Sequence, residues 1–235
     1  MRRHLLAFSL CLAFASAQAH DKDSDHDDGD DISHINGGIT AEAGHHYGDL
    51  DTVNGGISLE RGATAGTVET VNGGISAEDD VQAKSFGAVN GGIDAGRNVR
   101  IAQGVDTVNG GIRITFHSHV GGDVTTVNGG IVVQQTEVGG SIHTVNGDIT
   151  VGAESIVHGG ILVEKPNMTG WNFSFGNPRE ARKPRIVIGP KAVVQGELRF
   201  EREVELFVHP TAKIGKVFGA TAQSFTDTLP PRDSD

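Results

Sequence analysis

The chain has 235 residues, of which 34 are glycine and only 5% aromatic, with a single cysteine and a formal charge of −11. So much glycine with so few rings cannot fill a large aromatic core, which points to a repeated architecture rather than a compact enzyme. The acidic balance offers no general basic field for phosphates and excludes nucleic acid as a partner.

Residues 1–19 read as a signal peptide. Arg2 and Arg3 form a positive start, Leu5 to Phe14 an apolar run too short to span a bilayer, and Ala17-Gln18-Ala19 a small-residue cleavage site. Cleavage removes Cys11, so the mature chain is expected in an oxidising compartment, periplasmic or extracellular, without disulfides. Its charge becomes −13 once both arginines are gone, and no later stretch is apolar enough for a transmembrane segment. Residues 20–31 follow as an acidic disordered tail. Its Asp21, Asp23, Asp25, His26 and Asp27 are candidate ligands for calcium or another divalent metal. No EF-hand spacing fits, and the plain reading is a charged solvating segment without a cofactor.

From Ile32 a Val-Asn-Gly-Gly-Ile unit recurs, on Asn36 (with Ile35 for valine), Asn54, Asn72, Asn90, Asn109, Asn128 and Asn146 (with Asp148 for the second glycine), at steps of 18, 18, 18, 19, 19 and 18 residues. A period near 18 is too short for helical-pair repeats and suits one coil of a narrow β-solenoid. Apolar residues, aliphatic except for Phe86, recur four and one positions before each asparagine, and three and five after it, as in Val105, Val108, Ile112 and Ile114. Together these columns read as a stacked core. Asn-Gly-Gly reads as a corner that exploits positive φ, with the asparagines hydrogen-bonding coil to coil in an internal ladder.

Thr107 to Ile112, Thr126 to Ile131 and Thr144 to Val151, the TVNGGI and TVNGDITV units, resemble the adhesin-like β-solenoid family of bacterial envelope proteins over residues 31–163. More distantly the chain is similar to bactofilins, polymer-forming β-helical scaffold proteins. The resemblance implies a β-solenoid fold and an envelope or surface role.

After Asn146 the pattern changes. His158-Gly159-Gly160-Ile161 reads as another such corner with histidine replacing asparagine, but 12 residues on, as if one side of a three-sided coil were missing. Residues 164–185 form an inserted loop, rich in turn residues, in which Trp171, Phe173 and Phe175 alternate. They read as an aromatic plug, or as a binding patch for sugar or protein beside Arg179, Arg182, Lys183 and Arg185. Segments Ile188–Val193 and Val208–Lys213 share a register of 20 residues, and residues 186–220 read as C-terminal β-helix coils similar to hexapeptide and bactofilin types. Residues 221–235 read as a disordered tail.

Enzyme readings lack their signatures. No nucleophile elbow, P-loop or dinucleotide fingerprint is present, and acids such as Asp51, Glu69, Asp79, Asp80 and Asp123 read as falling in different columns. Two histidine pairs, His45-His46 and His117-x-His119, are candidate metal pairs too small to make a site. The expected fold is all-β: a single-stranded parallel β-helix of about 18 residues per coil, right-handed winding favoured, with the repeat over residues 32–163. The expected function is non-enzymatic, an exported adhesin-like scaffold that self-associates or joins a cell-envelope protein or glycan. The alternative is a binding module that uses a solenoid face or the Trp171 loop.

Overall fold

The computed structural model describes residues 29–166 and 182–226. These residues form an all-β, parallel solenoid of ten coils without any helix. One ten-stranded sheet takes one strand per coil: Ile39–Ala41, Ile57–Leu59, Ile75–Ala77, Ile93–Ala95, Ile112–Thr115, Ile131–Gln134, Ile149–Val151, Arg185–Ile188, Glu205–Val208 and Ala222–Ser224. Coils 1 to 10 are numbered by these strands.

The second sheet is continuous at first and then forks. Coils 1 to 4 each give it one long strand, Asp30–Asn36, Tyr47–Asn54, Thr64–Asn72 and Gln82–Asn90. In coil 5 the long strand is replaced by two, Arg100–Ile101 and Val105–Asn109, both paired to Gln82–Asn90. The cause is one extra residue. Ala83 pairs with Ile101 and Phe86 with Val105, so three steps in coil 4 become four in coil 5. That extra residue lengthens the asparagine step from 18 to 19, and from there the coil has three faces.

The interior is aliphatic and stacked. Leu50, Val68, Phe86, Val105, Val124 and Ile142 form one fully buried column, and Ile57, Ile75, Ile93, Ile112, Ile131 and Ile149 another. Residues of this type fit a pleated surface, and identical side chains at strand spacing interdigitate without voids. One expected core column is not in the core. Val53, Val71, Val89, Val108, Val127 and Val145 are half-buried and point outward, and Ile35 is 69% exposed. Facing inward instead are the preceding residues Thr52, Thr70, Ala88, Thr107, Thr126 and Thr144.

His158-Gly159-Gly160-Ile161 is not the asparagine corner, and no side is missing. Ile161 pairs with Ile142, the column four before asparagine, and the Gly159 N–H donates to the Gly140 carbonyl. The segment repeats the other glycine corner, seen as Gly121-Gly122 and Gly139-Gly140. Coil boundaries also move. Asp30 and Asp31, assigned to the tail, lie in the first strand, Arg185 opens a strand of coil 8, and coil 10 extends to Ser224.

Candidate functional site

Each residue of the TVNGGI unit has a separate task. The threonine hydroxyl turns inward and donates to the first corner glycine of the coil before: Thr52 to Gly37 (2.9 Å), Thr70 to Gly55 (2.8 Å), Thr107 to Gly91 (2.8 Å) and Thr126 to Gly110 (3.0 Å). This satisfies a hydroxyl that is otherwise costly to bury. Thr144 departs from the pattern, with no partner for its buried hydroxyl among the described residues. Thr107→Val is expected to cost about 1 kcal/mol in denaturant titration, since it keeps the shape and removes one hydrogen bond.

The asparagines form a continuous ladder. Each Nδ2 donates to the Oδ1 of the coil before, from Asn54 to Asn36 (3.1 Å), Asn72 to Asn54 (3.0 Å) and Asn90 to Asn72 (3.0 Å). It continues from Asn109 to Asn90 (2.9 Å), Asn128 to Asn109 (2.9 Å) and Asn146 to Asn128 (3.0 Å). Instead of being internal, as expected, the ladder lies exposed on the corner beside the outward valines.

The corner does not depend on positive φ. Among the Asn-Gly-Gly glycines only Gly37 is left-handed (φ 113°). What the first glycine supplies is space. A Cβ on Gly110 would overlap the Gly91 carbonyl oxygen of the coil before, whereas one on Gly111 would sit 3.3 Å from the Gly130 oxygen. Left-handed residues line a different corner instead, at Gly44, Gly62, Asp80, Asn98, His117, Gln135, Glu154 and Lys191.

The ladder ends where the insertion leaves. Among the described residues Asn146 Oδ1 meets no asparagine of coil 8, and it accepts from Arg202 Nη1 of coil 9 at 2.7 Å. Asp148, which replaces the second corner glycine, accepts from Arg182 Nη2 (2.8 Å) and from the Arg185 N–H (2.9 Å), pinning the chain as it returns to the solenoid. Around these groups lies an open cleft of about 460 Å³, lined by Gly129, Gly130, Gly147, Lys183 and Pro184 as well. Its charges serve to anchor the chain: Lys183 Nζ lies 3.0 Å from Glu203 Oε2.

The structure separates the His117-x-His119 pair. His117 occupies the left-handed corner, while His119 Nδ1 lies 3.6 Å from Glu137 Oε2, and His158 Nε2 lies 2.7 Å from Glu137 Oε1. The hydrogen bond from His158 holds the Glu137 carboxyl below its usual range, and the same bond raises His158. Sequence reasoning missed Glu137 and His158. The signal was the coil period, since Glu137 follows His119 by 18 residues and pairs with it. His45 stacks on Tyr47 with centroids 6.5 Å apart. Among the described residues no group of three or more His, Cys, Asp or Glu is arranged to hold a metal ion. Asp21, Asp23, Asp25, His26 and Asp27, like Trp171, Phe173 and Phe175, lie outside the described residues.

Three acids do share a column, contrary to the sequence reading of Asp51 and Glu69. Asp51 pairs with Glu69, Glu69 with Gly87 and Gly87 with Asp106. Glu69 and Asp106 flank the bare Gly87: a Cβ there would meet Glu69 Cγ at 3.5 Å and Asp106 Oδ2 at 3.8 Å. Partial desolvation and neighbouring acids raise Asp51 and Glu69, and desolvation raises Asp106. A raised carboxyl makes the native state bind protons more readily than the unfolded chain, so stability falls as pH rises through that window. Glu69→Gln should therefore melt higher than wild type at neutral pH, by an amount equivalent to about 1 kcal/mol or less for so exposed a charge. The two should coincide below the ordinary carboxylate range, as thermal scans at both pH values would test.

No protein-family model matches this chain, and neither does any curated protein or any solved structure. The class that the fold defines is the parallel β-solenoid built of coil-length repeats.

Proposed function

We propose that the protein is a non-catalytic structural element of the bacterial envelope or cell surface, exported by its leader, which acts as an adhesin-like scaffold. It works through the sides and ends of the rod, associating with copies of itself and with an envelope protein or glycan. The observation that carries this reading is the flank of coils 2 to 7, where half-buried valines and an exposed asparagine ladder repeat without interruption. A flat, periodic, amphipathic flank suits an extended or repetitive partner better than a small molecule, which needs a concave pocket. No helix among the described residues is long and apolar enough to cross a membrane.

The test is cosedimentation of the exported chain with isolated bacterial envelopes. Wild type should sediment with them, and Val71→Lys with Val108→Lys should release it about tenfold without changing its melting temperature. A chain that stays in the supernatant, with or without the lysines, would overturn the reading. The alternative, a glycan- or protein-binding module centred on Trp171, is favoured by one feature: Asp148 and Arg202 brace the corner from which that loop departs. Loss of envelope binding in Trp171→Ala, with the valine variants unaffected, would select it.

A further inference from the structure

Among the described residues the two end coils of the rod carry opposite charge. Coil 1, residues 29–46, holds Asp30, Asp31 and Glu42 and no lysine or arginine, whereas residues 209–226 at the other end hold Lys213 and Lys216 and no aspartate or glutamate. Both ends also expose apolar side chains. Of the large apolar residues exposed among those described, Ile35 (69%) is in coil 1 and Phe218 (43%) in coil 10. At each end the strands have a parallel neighbour on one side only, among the described residues. Such edges are templates for further pairing unless something covers them.

We propose that the occupant of each end is a second copy of this chain, docked head to tail, with coil 10 of one copy seated on coil 1 of the next. The proposal rests on the self-associating scaffold reading and adds to it a polarity and a register. Following the paired columns from coil to coil, Ile161 leads to Leu198 and Leu198 to Val217, in the column that begins with Ile32. Continued across the joint, that column sets Val217 opposite Ile32 of the next copy and Lys216 opposite Asp31. In the other sheet, Leu206 leads to Ala222, which falls opposite Ile39. Phe218 then lies opposite Ser33, a diagonal neighbour of Ile35 on the same outward face, within the reach of an aromatic ring.

Charge selects this polarity over the alternatives. Two first coils facing each other would set Asp30, Asp31 and Glu42 against themselves, and two last coils would do the same with Lys213 and Lys216; like charges in apposition disfavour both. A head-to-tail contact is heterologous and does not close, so it grows open filaments rather than dimers.

Sedimentation velocity of the exported chain over a wide concentration range tests the proposal. Wild type should grow with concentration and shrink with added salt. Lys216→Glu and Asp31→Lys should each weaken association about tenfold, and the double variant should recover most of the loss, because the pair is then reversed at every joint. Asp31→Asn, which keeps an oxygen to accept the Asp49 N–H (2.8 Å in wild type), should weaken association less; circular dichroism would verify the fold of each variant. Association that is indifferent to both reversals, or a double variant no better than the singles, would overturn head-to-tail docking while leaving self-association intact. A monomer at every concentration would overturn docking and self-association together, and envelope cosedimentation would then decide the scaffold reading separately.

Discussion

Gly110→Ala should destabilise the protein by about 3 kcal/mol or more, and Gly110→Val by more still, while Gly111→Ala should cost about 1 kcal/mol or less. The two glycines are adjacent and both belong to the coil 5 corner, so composition and turn propensity make no distinction between them. Position in the stack does. The Cβ of Gly110 would be driven into the Gly91 carbonyl, which is backbone fixed between two neighbouring coils and already accepts from Thr107. Relief would require moving a whole coil, and interiors packed this closely transmit such strain. The Cβ of Gly111 points to the following coil and meets the Gly130 oxygen at 3.3 Å, a gap that a few tenths of an ångström of adjustment can open. The protein already tolerates a side chain there, because Asp148 stands in the equivalent place in coil 7. Guanidinium titrations of the two alanine variants would separate the space argument from the positive-φ argument. Were both equally destabilised, the coil-to-coil contact would not be the reason for glycine.

Phe86→Ala should cost about 3–5 kcal/mol, a large part of the 5–15 kcal/mol that holds a typical domain together. Phe86 is the bulkiest of the fully buried side chains and sits in coil 4, where the long strand is about to fork. Val68 and Val105 flank it in its column, and Ala83 and Ala88 of the same coil leave the room it fills. No neighbour can collapse into the vacated space without shifting a strand. Phe86→Leu keeps most of the volume and should cost about 1.5 kcal/mol or less. At about 2–4 °C per kcal/mol for a chain of this size, the alanine variant should melt roughly 10 °C lower.

How much of this was legible beforehand depended on which residues identify themselves by type. The asparagine step gave the coil and the stacking, because an 18-residue period with aliphatic columns has few other packed solutions. Even the fork into three faces was written there, as the change of step between Asn90 and Asn109. The orientation of Thr-Val was not read, since hydropathy places valine inside and threonine outside. Threonine can reverse that only because the carbonyl of the coil before accepts its hydroxyl, a partner invisible in one coil's sequence. A strict alternation counted back from Ile112 through the corner would not have sufficed, because the corner breaks the period of two.

Gly-Gly was ambiguous for a similar reason. It marks two corners of the coil, and only the 19-residue step from Ile142 to Ile161 assigns Gly159-Gly160 to the second one. The His119–Glu137–His158 cluster and the acid column across Gly87 join residues far apart in the chain. They become visible only when the sequence is written one coil per line, with the extra residue of coil 5 placed correctly.

Each repeat is one interchangeable coil, and deletion tests this most directly. Removing residues 55–72 joins Asn54 to Gly73 and recreates Asn-Gly-Gly-Ile at the junction, with Asn54 stacked below Asn90. Circular dichroism and thermal unfolding of that variant should show a folded all-β protein of nine coils with a cooperative transition. Removing only residues 55–63, half a coil, should cost far more stability, since the first strands then meet the later coils half a turn out of register. An unfolded full-coil deletion, or two deletions of equal stability, would contradict the stacked-coil architecture.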